Sequence, residues 1–142
     1  MFKLINNFFE YLPLAAVIEN EILCLHGGIG ANVKKVSDIE TIKRPFEVIH
    51  EAESKEQKLV MDILWSDPTD SDQEMGIKPN VQRDSNGYGN IVKYGPDVVK
   101  DFLVTNNLSY IIRAHECVLD GFERFAGGAL ITVFSGKFQY TN

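Results

Sequence analysis

Cysteine is nearly absent: the 142 residues contain two, Cys24 and Cys117. A pair this sparse does not make a disulfide framework. Both thiols stand in apolar stretches, so they are expected to be buried and reduced, which points to the cytoplasm or nucleus. Long hydrophobic runs are missing as well. No segment approaches the ~20 apolar residues of a membrane helix, so no membrane partner is expected. The opening stretch MFKLINNFFEYLPLAAVIEN is apolar, but it carries Glu10 and Pro13 and lacks a small-residue cleavage site, so it does not read as a signal peptide. Positive charge is in deficit: 14 Lys and Arg stand against 20 Asp and Glu, for a net charge of -6. That disfavours a nucleic acid held through its phosphates. Repeats and low-complexity tracts are absent. Apolar material is not short, at 44% hydrophobic and 11% aromatic residues. Composition and length suit one modest globular domain with its own core.

Apolar spacing at Phe2, Ile5, Phe9 and Leu12 predicts a helix over residues 1–12, stopped by Pro13. LAAVIE and EILCLH read as the two strands of a hairpin. DIETIKRPF reads as a segment opened by Ser37 or Asp38 as N-cap and stopped by Pro45. EVIHEAESKEQ is a solvated helix or loop, and KLVMDILW is apolar again. From Ser66 to Asn90 the chain is polar and rich in Gly, Asn and Asp, which predicts a long loop of the kind that carries function. GPDVVKDFLVTNN puts Pro96 near a helix start and Val98, Val99, Phe102 and Leu103 on one face. LSYIIRAH and ALITVFS are strands, with GFERFAGG a shorter strand and turn between them. Strand and helix alternate, so the fold class is α/β or α+β.

Two of those strands end in the same way. EILCLHGGIG closes a short apolar run with His26 and then Gly27 and Gly28, and YIIRAHE closes another with His115. Glycines at such a point let the backbone turn and approach something closely. Imidazole is a common ligand for divalent transition metals, so the two rings are candidates for one shared metal. Spacing alone favours a hydrogen-bonded structural role for each, and both readings stay open. His50 has no such setting and is expected on the surface.

Other constellations are weaker. Cys24, His26, His115 and Cys117 form a C-x-H…H-x-C set, since residues two apart share a strand face, but it matches no usual zinc spacing. GIGANV opens like a dinucleotide fingerprint at Gly28 and Gly30, but Val33 replaces the third glycine. DSDQEMG starts like a calcium loop at Asp70, but its glycine is one place late and Val81 stands where Glu is needed.

Taken together, the motifs resemble the second half of the PPP family of serine/threonine protein phosphatases. LPLAAVIENEILCLHGGIG is similar to the family's LP-AA-I---I-C-HGG-S, DILWSDP to its DLLWSDP, IIRAHECVLDGFERF to its I-RAH---DGYE-F, and LITVFSG to the start of its L-T-FSAPNYCG. HGGIG, KPNVQR and RAHECV-DGFERFA look most like the branch in which the phosphatase follows a kelch-repeat domain. The resemblance implies part of a metallophosphoesterase β-sandwich flanked by helices. It implies that His26 and His115 bind one metal of a two-metal centre of manganese, iron or zinc. Arg83, in NVQRDSNGYG, matches the arginine that contacts the substrate phosphate, and a planar guanidinium suits that task with two parallel donors. Asp67, in WSDP, matches an acid that helps position the site's arginines; an aspartate capping the turn before Pro68 is the alternative.

The reaction so implied is hydrolysis of phosphoserine and phosphothreonine in a phosphoprotein by a hydroxide held between two divalent ions. The family's GDxHG, GDxVDRG and GNHE segments, which supply the other ligands, two more arginines and the proton-donating histidine, are not found in residues 1–142. The chain also departs from the pattern after VFSG, where it reads KFQYTN, so Tyr140 is not equated with the family's loop tyrosine. Residues 1–142 are therefore expected to be a partial phosphatase domain, inactive alone, that exposes a core face and self-associates through it. A regulatory subunit or kelch domain is the further partner expected. A non-catalytic binding module derived from the same fold, or a small metal-binding domain without phosphatase chemistry, are the alternatives.

Overall fold

The computed structural model describes residues 1–49, 51–84, 87 and 89–136. His50 and Tyr140 lie outside the described residues. The order of elements is α1 (Phe2–Phe9), β1 (Ala15–Ile18), β2 (Ile22–Leu25), α2 (Val36–Glu40), α3 (Lys55–Trp65), β3 (Asp67–Pro68), β4 (Ile77–Pro79), β5 (Val92–Tyr94), α4 (Pro96–Asn106), β6 (Tyr110–Arg113), β7 (Phe122–Phe125), a 3-10 turn (Ala126–Gly128) and β8 (Leu130–Val133). This is the mixed α/β class expected from the alternation of strand and helix.

The larger sheet has five strands in the order β1-β2-β6-β8-β7. β1 and β2 form the expected antiparallel hairpin, β2, β6 and β8 run parallel, and β7 returns antiparallel to β8. Register aligns Leu23 with Ile111 and Ile111 with Leu130. These three are fully buried and share one core with Leu59, Val60 and Ile63 of α3 and Val99, Phe102 and Leu103 of α4. The alternate row, Cys24, Ile112 and Ile131, faces the other side and is only half-buried. Period-two alternation thus assigns the core face as it must in a strand. The smaller sheet, β3-β5-β4, places two short strands inside 66–90, where the sequence reads as loop; polar composition hid them.

Other local readings are corrected too. KLVMDILW is the body of α3, started by Ser54, whose hydroxyl accepts from the Gln57 amide in a capping box. The α2 N-cap is Lys35, and Asp38 stands three places on, where its carboxylate accepts from the Lys34 and Lys35 amides at 3.0 and 2.7 Å. Cys24 is half-buried and Cys117 exposed, so the two are not a pair of core thiols. α1 is shorter than expected and buries no residue: Phe2, Phe8 and Phe9 are 81%, 60% and 52% exposed. No helix among the described residues is long and apolar enough to cross a membrane.

Candidate active site

The parallel pairing of β2 and β6 explains why the two histidines meet. Cys24 is in register with Ile112, so both strands carry their next residues to the same sheet edge, and the Ala114 amide donates to the His26 carbonyl at 2.9 Å. Carboxyl ends of parallel strands are where open α/β sheets place their chemistry. His115 adopts φ of 62°, a left-handed backbone that few non-glycine residues take, and this turns the chain back at the strand end. The rings lie edge to face, centroids 4.9 Å apart, and His26 Nε2 faces His115 Nδ1 at 3.1 Å. Trp65, at the end of α3, packs edge-on against His115 with centroids 5.5 Å apart.

The glycines after His26 have a steric cause. A Cβ on Gly27 would lie 2.7 Å from the Leu64 backbone, and one on Gly28 would lie 2.2 Å from the Tyr94 ring. The Gly27 amide donates to the Ile63 carbonyl at 2.7 Å, which fastens the loop to the last turn of α3. What Gly27 and Gly28 approach closely is therefore the protein itself, and this close approach holds His26 at the mouth of the core.

Asp67 sits beside the rings and is buried. Its Oδ2 accepts from Asn80 Nδ2 at 2.8 Å and from Arg83 Nε at 3.1 Å, while Oδ1 accepts from Arg113 Nη2 at 2.7 Å. The carboxylate thus engages side chains from three other places in the chain instead of capping its own turn. Arg83 is also tied by Nη2, which donates to the His115 carbonyl at 3.3 Å, and its side chain stays 32% exposed. His26, His115, Arg83 and Asp67 are all brought together. Sequence reasoning missed two members of the cluster, Asn80 and Arg113. The signal for Arg113 was a cation two places after Ile111, on the core-facing register of an apolar strand.

Burial and the neighbouring arginines favour the neutral form of both rings. Burial, then the charges of Arg113 and Arg83, lower the His26 pKa. Burial pushes His115 down to about 4, with Asp67 opposing and Arg83, Arg113 and His26 adding to the depression. Burial alone would raise the Asp67 carboxyl, but the bonds from Asn80, Arg113 and Arg83 and the charge of Arg113 hold it below the usual range. Burial, then the nearby Asp67 charge, raises Glu116, against the pull of Arg113.

These features fit a metal at the histidine pair. A neutral imidazole is the ligating form. With metal–nitrogen bonds of about 2.1 Å, adjacent ligand atoms lie about 3.0 to 3.4 Å apart, and the two facing nitrogens stand 3.1 Å apart. The second nitrogen of His115, Nε2, is buried and lacks a hydrogen-bond partner, 4.0 Å from Asp67 Oδ1. Among the described residues no group of three or more His, Cys, Asp or Glu side chains converges to hold an ion. The C-x-H…H-x-C set is not assembled, because the left-handed turn at His115 carries Cys117 out to the surface.

The calcineurin-like phosphoesterase family profile matches residues 1–119. The chain belongs to the calcineurin-like phosphoesterase family. Members of this phosphoesterase family use divalent metal ions, in keeping with the donor set at the histidine pair. The chain is 52% identical over 131 residues to the serine/threonine-protein phosphatase BSL2 of Arabidopsis thaliana, covering 92% of this chain and 12% of that protein. It is 38% identical over 127 residues to the serine/threonine-protein phosphatase 4 catalytic subunit of Kluyveromyces lactis, covering 89% of this chain and 36% of that one. A solved protein serine/threonine phosphatase from Saccharomyces cerevisiae, described as similar to human phosphatase PP5, superposes with a TM-score of 0.77 at 31% identity. That superposition covers 94% of this chain and 38% of the other. The phosphoesterase chain therefore spans between about an eighth and two fifths of these relatives' lengths.

Proposed function

We propose that this chain forms part of the active site of a metal-dependent serine/threonine protein phosphatase, a phosphoric monoester hydrolase acting on phosphoproteins. The observation that carries this reading is the facing of His26 Nε2 and His115 Nδ1 at 3.1 Å beside the anchored guanidinium of Arg83. His26 and His115 are the ligands of one divalent ion, manganese, iron or zinc, and the ligands that complete a two-metal centre come from sequence beyond these two rings. Bound there, divalent ions would supply Lewis-acid polarisation of the phosphoryl group and an acidified water.

The chain's own residues do the rest of what this part contributes. Arg83 binds the substrate phosphate: Asp67 and the His115 carbonyl fix the plane of its guanidinium, and its exposed side faces the incoming oxygens. Asp67 is a positioning residue, acting through Arg83. Trp65 orients the His115 ring by packing against it. Alone, the chain is inactive and binds a metal weakly, since two ligands do not enclose an ion. A regulatory subunit and a kelch-repeat domain are the partners proposed for the whole protein, on the strength of the HGGIG and KPNVQR variants. Titration of the full chain with Co2+, read by its visible absorption, tests the ligand assignment. A perturbed spectrum that is lost in His26→Ala supports it, and a spectrum unaltered by that change contradicts it.

A further inference from the structure

Among the described residues Arg113 is the bulkiest fully buried side chain, 1% exposed, and it lies beneath the site. Each of its three nitrogens holds a different segment. Nε donates to the Gly27 carbonyl at 2.6 Å, on the peptide that follows His26. Nη2 donates to Asp67 Oδ1 at 2.7 Å and to the Ser66 carbonyl at 3.3 Å, where α3 gives way to β3. Nη1 donates to Glu116 Oε2 at 2.8 Å, one residue beyond the left-handed turn at His115. The first arm fixes the His26 loop, the second fixes Asp67 and through it Arg83, and the third fixes the turn that aims His115. Buried guanidinium is costly to desolvate, and a core this apolar would pack a leucine at Arg113 more readily. A planar fork with donors in three directions is what the junction needs and what no apolar side chain offers.

We infer that Arg113 is a positioning residue that holds the His26 and His115 ring nitrogens at their mutual spacing and keeps Arg83 aimed beside them. The inference rests on the phosphatase reading for its purpose, but the spacing itself can be measured without any metal. In the full chain, free of metal, NMR contacts between the two imidazole rings read the spacing directly. Arg113→Lys keeps the positive charge and removes the fork. Val99→Ala, in the fully buried core of α4, serves as a control of comparable instability. The expected result is at least a fivefold loss of the ring-to-ring signal in Arg113→Lys, and at least tenfold weaker Co2+ binding, with both retained in Val99→Ala. Ring contacts and Co2+ affinity unchanged in Arg113→Lys would overturn the proposal. If the lysine variant does not fold, Glu116→Ala cuts only the arm to the His115 turn; displacement of the His115 ring from His26 supports the proposal and an unmoved ring overturns it. A wild-type chain that binds no Co2+ but whose ring contacts depend on Arg113 would remove the metal reading and leave the positioning role standing.

Discussion

Removal of the Asp67 carboxylate is the perturbation whose cost the structure defines best. Asp67→Ala strips three donors at once: Asn80 Nδ2, Arg83 Nε and Arg113 Nη2. Arg83 can turn to solvent, so its loss counts little. Arg113 cannot, because its side chain is fully buried and, among the described residues, Glu116 is the remaining carboxylate paired with it. Breaking a buried pair from one side costs about 3 to 5 kcal/mol. The buried Asn80 amide adds about 1 kcal/mol or more as an orphaned donor. Against a total stability of about 5 to 15 kcal/mol, this is a large fraction. The pair variant Asp67→Ala with Arg113→Met removes the uncompensated charge as well, so its cost falls short of the sum of the single changes by about 2 kcal/mol or more. Urea unfolding of the wild type, both single variants and the double variant measures each quantity. A cost under about 1 kcal/mol for Asp67→Ala, or additivity within about 0.5 kcal/mol across the cycle, would refute the reasoning.

Further outcomes follow from the same structure. Asp62 is 1% exposed, accepts from the Asn32 amide and side chain, and burial pushes its carboxyl from 3.8 up to about 6. Between those values the native state binds the proton more tightly than the unfolded chain, so the Asp62 contribution to stability falls as pH rises, by about 3 kcal/mol in all. Melting curves from pH 4 to 7 should therefore rise more steeply, or fall less, in Asp62→Asn than in the wild type; parallel curves would count against the shifted carboxyl. Gly28→Ala drives a methyl into the buried Tyr94 ring and should destabilise by about 1 to 3 kcal/mol, with relief in a Gly28→Ala, Tyr94→Leu double variant measured by the same unfolding assay. The exposed face of α1 and the half-buried sheet row should drive self-association: gel filtration is expected to give a species larger than the 16.0 kDa chain, and a well-behaved monomer would speak against it.

The two histidines of the candidate site are legible in the sequence because each closes an apolar strand, where a run stopping at a polar ring is visible without a structure. That pattern singles out His26 and His115 but leaves a structural role and a metal role both open, and the family motif is what implies the metal role and adds Arg83 and Asp67. Arg113 carries no such mark, because a cation inside an apolar strand looks like a break in the pattern, when it is a buried junction. Asn80 is silent too, because a polar residue in a polar segment carries no signal at all. β3 and β4 escaped for the same reason, since strands of two and three residues are made by pairing to β5 and not by any periodicity of their own. α1 shows the converse case. Its apolar spacing is correct for a helix, yet none of its residues is buried, and burial is a property of the partner as much as of the pattern.

Whether His26 and His115 hold a metal as part of an incomplete centre is decided by manganese-dependent phosphate release from this chain, with bound metal counted in the same sample. The expected result is no release, at most one manganese per chain, and loss of that metal in both His26→Ala and His115→Ala. Phosphate release that disappears in His26→Ala, or metal that stays bound when both histidines are replaced, would contradict it.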